Sequence, residues 1–140
     1  VIILDTNLIS EAMKIMPARQ VQAWLDAQPG ASLYSTAINV AELQFGLAIL
    51  PAGRRRQFLQ NRFDAAILPL FAGRLLAFDV DAAHAYAGLM ARARIEGQAI
   101  EQPDGFIAAI AMTRGYAVAT RDVAPFIAAG VTVIDPWADP

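Results

Sequence analysis

Four acidic side chains, Asp5, Glu42, Asp104 and Asp122, are the residues of this sequence best placed by type and context to do chemistry. Glu42 is the only charge in the stretch Ile38-Asn39-Val40-Ala41-Glu42-Leu43-Gln44-Phe45-Gly46, and Asp104 opens the nearly uncharged run Gly105-Phe106-Ile107-Ala108-Ala109-Ile110. An acid on a helix bound for the core either takes up a proton or recruits a cation, because burying it charged and unpaired is costly. Acids gathered in one place repel one another by about a few kcal/mol per pair near a surface. A divalent ion relieves that repulsion. Hard oxygen donors suit Mg²⁺ or Mn²⁺, which keep several waters and bind phosphate oxygens. Such an ion activates water and steadies the charge that develops on a phosphate and its leaving oxygen, the two services phosphodiester hydrolysis needs. Thr6, Asn7, Thr120 and Arg121 flank the acids and are candidates to support them or to touch a substrate phosphate.

Each acid also has a plainer reading. Asp5 fits the cap of a following helix. Asp104 follows Pro103 at the expected first helical position, where a carboxylate favours the helix dipole. Asp122 fits a cap before Pro125. No cap explains Glu42; its plain reading is a buried ion pair with an arginine such as Arg121.

The elements that position these residues follow from the apolar runs. Val1-Ile2-Ile3-Leu4 has no polar alternation and reads as a strand buried on both faces, with a helix after it to about Lys14. A helix after Pro17 turns Val21, Trp24 and Leu25 inward and stops at Pro29-Gly30. Ser32 to Ser35 is a second strand, and Thr36 caps a helix from Ala37 to about Leu50. Beyond Pro51-Ala52-Gly53 a helix runs from Arg54 to Leu68, with Phe58, Leu59, Phe63 and Ile67 at core spacing. Leu75 to Phe78 is a third strand, and Asp79-Val80-Asp81 is better read as a strand end and helix cap than as a metal motif. A long helix from Asp81 to Ile95 carries Tyr86, Leu89 and Met90, which suit a dimer face and core packing equally. The remaining elements are a helix from Pro103 to Gly115, a strand at Ala117 to Thr120, a short helix at Pro125 to Ala129 and a strand at Val131 to Ile134. Unbroken apolar strands alternating with helices predict an α/β fold with a parallel sheet covered on both faces. In such sheets ligands sit beyond the carboxyl ends of the strands, where strand order reverses. Asp5 and Asp122 follow the first and fourth strands, so they converge if those strands are neighbours; spacing alone does not decide that adjacency.

Composition narrows the function. The 140 residues suit one domain, 1–140, and 56% are hydrophobic. No apolar run reaches the roughly 18 residues of a membrane span, and the first residues read as a strand rather than a leader, so a cytoplasmic location is expected. The chain has no cysteine, which excludes thiol chemistry and cysteine–zinc sites. Its one histidine, His84, lies mid-helix, which argues against a nuclease mechanism built on paired histidines. Phosphate-binding glycine motifs are absent. A net charge of −2 argues against a general nucleic-acid coat protein but leaves room for a local basic rim. Candidates for that rim are Lys14, Arg19, the run Arg54-Arg55-Arg56 with Arg62, and Arg92, Arg94, Arg114 and Arg121, most of which read as solvated helix faces.

Leu4-Asp5-Thr6-Asn7, Ala41-Glu42-Leu43, Asp104-Gly105-Phe106-Ile107-Ala108-Ala109 and Thr120-Arg121-Asp122 together resemble the PIN-domain family, over essentially the whole chain. More narrowly the sequence is similar to VapC toxins of bacterial type II toxin–antitoxin pairs, and within them to a FitB-like branch through Ile67-Leu68-Pro69-Leu70-Phe71-Ala72-Gly73-Arg74 and Asp135-Pro136-Trp137. The resemblance implies a five-stranded parallel sheet of order 3-2-1-4-5, with strands one and four adjacent. It implies a Mg²⁺- or Mn²⁺-dependent endoribonuclease (a hydrolase), with Asp5, Glu42 and Asp104 as metal ligands and Asp122 as the fourth acid. A homodimer and a small VapB/FitA-like antitoxin are implied as well, the antitoxin's tail covering the acids and its own fold contacting operator DNA. One departure stands out. Many relatives carry asparagine where Asp122 stands and an acid three residues on, where this chain has Pro125.

Two other functions compete. A phosphatase-like hydrolase would use Asp5 as a covalent nucleophile, but such enzymes want a second acid two residues on, and Asn7 stands there. A non-enzymatic module would act only through its antitoxin and DNA partners.

Overall fold

The computed structural model describes residues 1–138. It comprises the strands β1 (Ile2–Leu4), β2 (Leu33–Thr36), β3 (Leu75–Leu76), β4 (Ala117–Ala119) and β5 (Val133–Ile134). The helices are α1 (Thr6–Met13), α2 (Arg19–Ala27), α3 (Ala37–Ala48), α4 (Arg54–Arg62), α5 (Val80–Ile95), α6 (Gln102–Arg114) and α7 (Ala124–Ala129). The strands form one parallel sheet of order β3-β2-β1-β4-β5. The adjacency of β1 and β4, left open by spacing and implied by the resemblance, is therefore observed, with Leu4 beside Ala119.

Strand geometry distributes the apolar residues. Side chains alternate between the faces of a sheet, so Ile3 and Val118 enter one core while Leu4 and Ala119 enter the other. The first core is closed by Leu89 of α5, Ile107 of α6 and Phe126 of α7. The second is closed by Leu8 of α1, Val21 of α2, Leu43 of α3 and Phe63 just after α4. Helices on both faces explain why these strands lack the alternation of a sheet wetted on one side. Among the described residues no helix is long and apolar enough to cross a membrane.

Most elements fall where their sequence signals put them, and the differences have physical causes. Asp79 caps α5 by accepting from the Ala82 N–H at 2.9 Å, so Asp79-Val80-Asp81 is a helix start as expected. Strands β3, β4 and β5 are shorter than their apolar runs, since only residues opposite a partner strand join the ladder. The helix expected from Arg54 to Leu68 ends at Arg62. The chain widens there into a turn over Phe63–Ile67, which the Leu68 N–H closes onto the Phe63 carbonyl. Phe58 is not in the core; it is 41% exposed. Leu59, Phe63 and Ile67 follow one another at four-residue spacing, and Phe58 stands one residue off that stripe, about 100° around the helix. Tyr86, Leu89 and Met90 serve packing: Leu89 is buried, while Tyr86 and Met90 pack against the core.

Gly105 lets α5 and α6 come close. A Cβ at this position would lie 2.8 Å from Met90 Sδ and 2.9 Å from Tyr86 Cε2. Gly115 ends α6 in the left-handed region, with φ of 69°, where a side chain would be strained.

Candidate active site

Asp5 stands where the sheet ends and a helix begins, and it serves both. Its N–H continues the β1–β4 ladder by donating to the Ala119 carbonyl at 3.0 Å. Its carbonyl accepts from the Leu8 and Ile9 N–H groups, and Oδ1 accepts from the Thr6 N–H at 2.8 Å, capping α1. The capping role read from sequence is thus real, and it fixes the carboxylate at the carboxyl end of the central strand. The opposite edge of the group is held from β4: the Thr120 hydroxyl donates to Asp5 Oδ2 at 2.8 Å. Asp5 is only 4% exposed. Burial pushes its carboxyl above the ordinary value, against the lowering effect of donors from Thr120, Thr6 and Asn39, and the charge of Asp122 raises it further.

Asn39 was missed by the sequence reading, although it anchors the other side of Asp5. Its Nδ2 donates to Asp5 Oδ1 at 3.1 Å and to Thr6 Oγ1 at 3.0 Å. Its Oδ1 accepts from the Thr36 hydroxyl at 2.6 Å, and its own N–H donates to Thr36 Oγ1, which caps α3 as expected. The available signal was an amide among apolar residues, one helical turn before Glu42 and so on the same face.

Glu42 is half-buried on α3 and accepts from the Thr6 hydroxyl at 2.7 Å. Burial, followed by the charge of Asp5, raises its carboxyl despite that hydrogen bond. The ion pair with Arg121 is not formed: among the described residues no cation lies within salt-bridge distance of Glu42. Arg121 instead lies over the Trp137 ring, 5.5 Å from its centroid.

Asp104 sits in the first turn of α6, which starts at Gln102, so Pro103 takes the second rather than the first helical position. Its carboxyl is pushed up to about 7, by burial first and then by the charges of Asp5, Asp122, Glu42 and Glu101. Asp122 is exposed and does not cap α7; its N–H donates to Thr120 Oγ1 at 3.1 Å. Asn7 bridges the same region, donating to Thr120 Oγ1 at 3.1 Å and accepting from the Arg121 N–H at 3.1 Å. The loop after β4 is thereby tied to α1.

The acids are close enough to feel one another's charge, and the donor set is all hard oxygen, which fits Mg²⁺ or Mn²⁺. Among the described residues no three of His, Cys, Asp and Glu form a ready-made coordination shell.

Residues 2–130 match the PIN domain family. The chain belongs to the PIN-domain family. As a PIN domain it is 55% identical over 136 residues to a VapC ribonuclease, Y4jK of Sinorhizobium fredii, covering 97% of both chains. It is 46% identical over 138 residues to toxin FitB of Neisseria gonorrhoeae, covering 99% of both. In structure this PIN domain is similar to FitAcB from Neisseria gonorrhoeae, with a TM-score of 0.93, 45% identity and coverage of 98% of this chain and 99% of the other. The resemblance read from the four acidic motifs is borne out at the level of family and fold.

Proposed function

We propose that this PIN domain is a metal-dependent endoribonuclease and the toxin of a type II toxin–antitoxin pair. The observation that carries the reading is the gathering of acids at the carboxyl end of the sheet: Asp5 after β1, Glu42 joined to it through Thr6, and Asp104 within reach of both charges. Carboxyls perturbed in this way cluster at functional sites, and a bound cation would relieve their mutual repulsion. Asp5, Glu42 and Asp104 would hold Mg²⁺ or Mn²⁺, with Asp122 at the solvent side. The bound ion would supply activation of water and neutralisation of charge on the phosphate. Thr120, Asn39 and the Thr6 N–H keep Asp5 in one orientation, and the Thr6 hydroxyl does the same for Glu42. Asn7 and Thr120 align the Arg121 segment beside the acids, and the guanidinium would have to leave the Trp137 ring to meet a substrate phosphate.

The similarity to a VapC ribonuclease and to toxin FitB supports RNA as the substrate, and the similarity to FitAcB supports a FitA-like antitoxin partner. On the same reading the 140 residues act as a single PIN domain, pair as a homodimer, work in the cytoplasm and meet operator DNA only through the antitoxin.

The test is cleavage of a labelled RNA with and without Mg²⁺ or Mn²⁺. The parent should cut only with metal, and Asp5→Asn should cut at least about 100-fold more slowly. Cleavage that survives EDTA, or an Asp5→Asn variant as fast as the parent, would sink the assignment.

A further inference from the structure

One strongly charged feature plays no part in the acidic site. Arg54, Arg55 and Arg56 open α4, whose first turn has no acid. Cations at a helix N-terminus oppose the dipole, so helix stability does not account for them. Among the described residues none of the three forms a salt bridge. Arg54 and Arg56 line a hollow of about 250 Å³, and Arg55 lines both that hollow and a neighbouring cleft of about 600 Å³. The cleft reaches Thr6 and Glu42, so it leads from the arginines to the acids. Its floor is core: Met13, Leu43 and Leu47 are at most 6% exposed. Its solvent side is different in kind. Arg55 brings there a positive charge that no described residue pairs, Ser10 a hydroxyl, and Phe58 an aromatic ring left 41% exposed, while Lys14 is held by Glu11 at 3.0 Å and Ile15 adds exposed apolar surface. Arg55 and Phe58 are three residues apart on α4 and share a face.

A cation for the backbone next to a ring for a base is what sequence-tolerant grip on a single strand requires. We propose that Arg55 and Phe58 form an RNA-holding wall, Arg55 on a backbone phosphate and Phe58 stacked on a base, guiding the strand along the cleft to Glu42 and Asp5. This inference rests on the ribonuclease reading and names how that site would grip its substrate.

The test is the fluorescence polarisation of a labelled, mixed-sequence single-stranded RNA of about twelve nucleotides, titrated with protein in EDTA so that binding is read without cleavage. Phe58→Ala should weaken binding about tenfold, and Phe58→Tyr should restore it. Arg55→Gln should lower the slope of log affinity against log salt by about 0.7, one phosphate contact on a single strand. Both positions are exposed, and circular dichroism should show the parent fold. With metal present, both variants should raise KM more than they lower kcat. RNA affinity and KM at parent values in both variants would overturn the wall, as they would if the cleft instead served a protein partner. A parent that cuts RNA beside such silent variants defeats the wall alone. A parent that binds RNA through these residues but never cuts it defeats the ribonuclease reading alone.

Discussion

Thr120 reaches Asp5 from the neighbouring strand: its hydroxyl donates to Asp5 Oδ2 at 2.8 Å while accepting from Asn7 Nδ2 and the Asp122 N–H. One buried hydroxyl thus serves the central acid, α1 and the loop that carries Asp122. Thr120→Val keeps the shape and removes this hub. We expect a loss of about 1–3 kcal/mol in denaturant unfolding, since a buried charged acceptor and two donors lose their partner. Thr120 also lowers the Asp5 carboxyl. Without it that carboxyl rises further, and the acid limb of the pH–rate profile moves to higher pH.

The acids should make the metal-free protein more stable in mild acid than at neutrality. Asp104 titrates near 7 when folded, against an ordinary value of 3.8. Between these values the folded chain binds more protons than the unfolded one, so stability falls as pH rises from about 4 to 7 and then levels off. Asp5 and Glu42 are raised as well and act in the same direction. Asp104→Asn removes the largest part of this trend. We expect on the order of 1 kcal/mol gained at pH 7, after allowance for solvent screening around a half-buried group. Thermal melts in EDTA across this range measure it, and a flat pH dependence in the parent would contradict it.

Asp122→Asn should be milder than Asp5→Asn. Asp122 is exposed and acts on its neighbours mainly through charge, raising both Asp5 and Asp104. Its removal lowers both carboxyls, so the acid limb of activity shifts to lower pH. The rate should fall by no more than about tenfold if the ion keeps water in that position. A loss as deep as that of Asp5→Asn would make Asp122 an indispensable ligand.

Gly105→Ala tests how closely α5 positions α6. The new Cβ meets Met90 Sδ at 2.8 Å and Tyr86 Cε2 at 2.9 Å. Overpacking of this kind costs about 1–3 kcal/mol and moves backbone, here immediately beside Asp104. Adding Met90→Ala frees one of the two contacts. The double variant should recover more stability than the sum of the single changes allows, as a double-mutant cycle would show.

What could be read from the sequence was local, and what could not was pairwise. Strands and helix caps carry their own signals: the apolar run ending at Leu4, Thr36 ahead of α3 and Asp79 ahead of α5 were all legible. Glu42 stood out because it is the single charge on α3. The adjacency of β1 and β4 has no local signal, since it depends on which strands meet after the chain has folded, and only the family resemblance supplied it. Asn39 escaped for a related reason. An amide looks inert until its partners are known, and these lie 34 and 33 residues away on Asp5 and Thr6. The Arg121–Glu42 pair was a reasonable expectation defeated by geometry, as Arg121 lies over Trp137 and Thr6 answers Glu42. Phe58 was misread because hydrophobicity alone cannot separate a core ring from one beside the core stripe.

The strand order has a consequence for synthesis. Asp5 is held by Thr120, 115 residues further along the chain, and β4 must slot beside a strand made long before it. A ribosome must therefore make everything from β1 through β4 before Asp5 gains its last tether. Any shorter product, whether stalled or degraded, carries the early acids without β4 to assemble them. If this chain is a poison to its own cell, it is one that stays harmless until β4 has been made and paired.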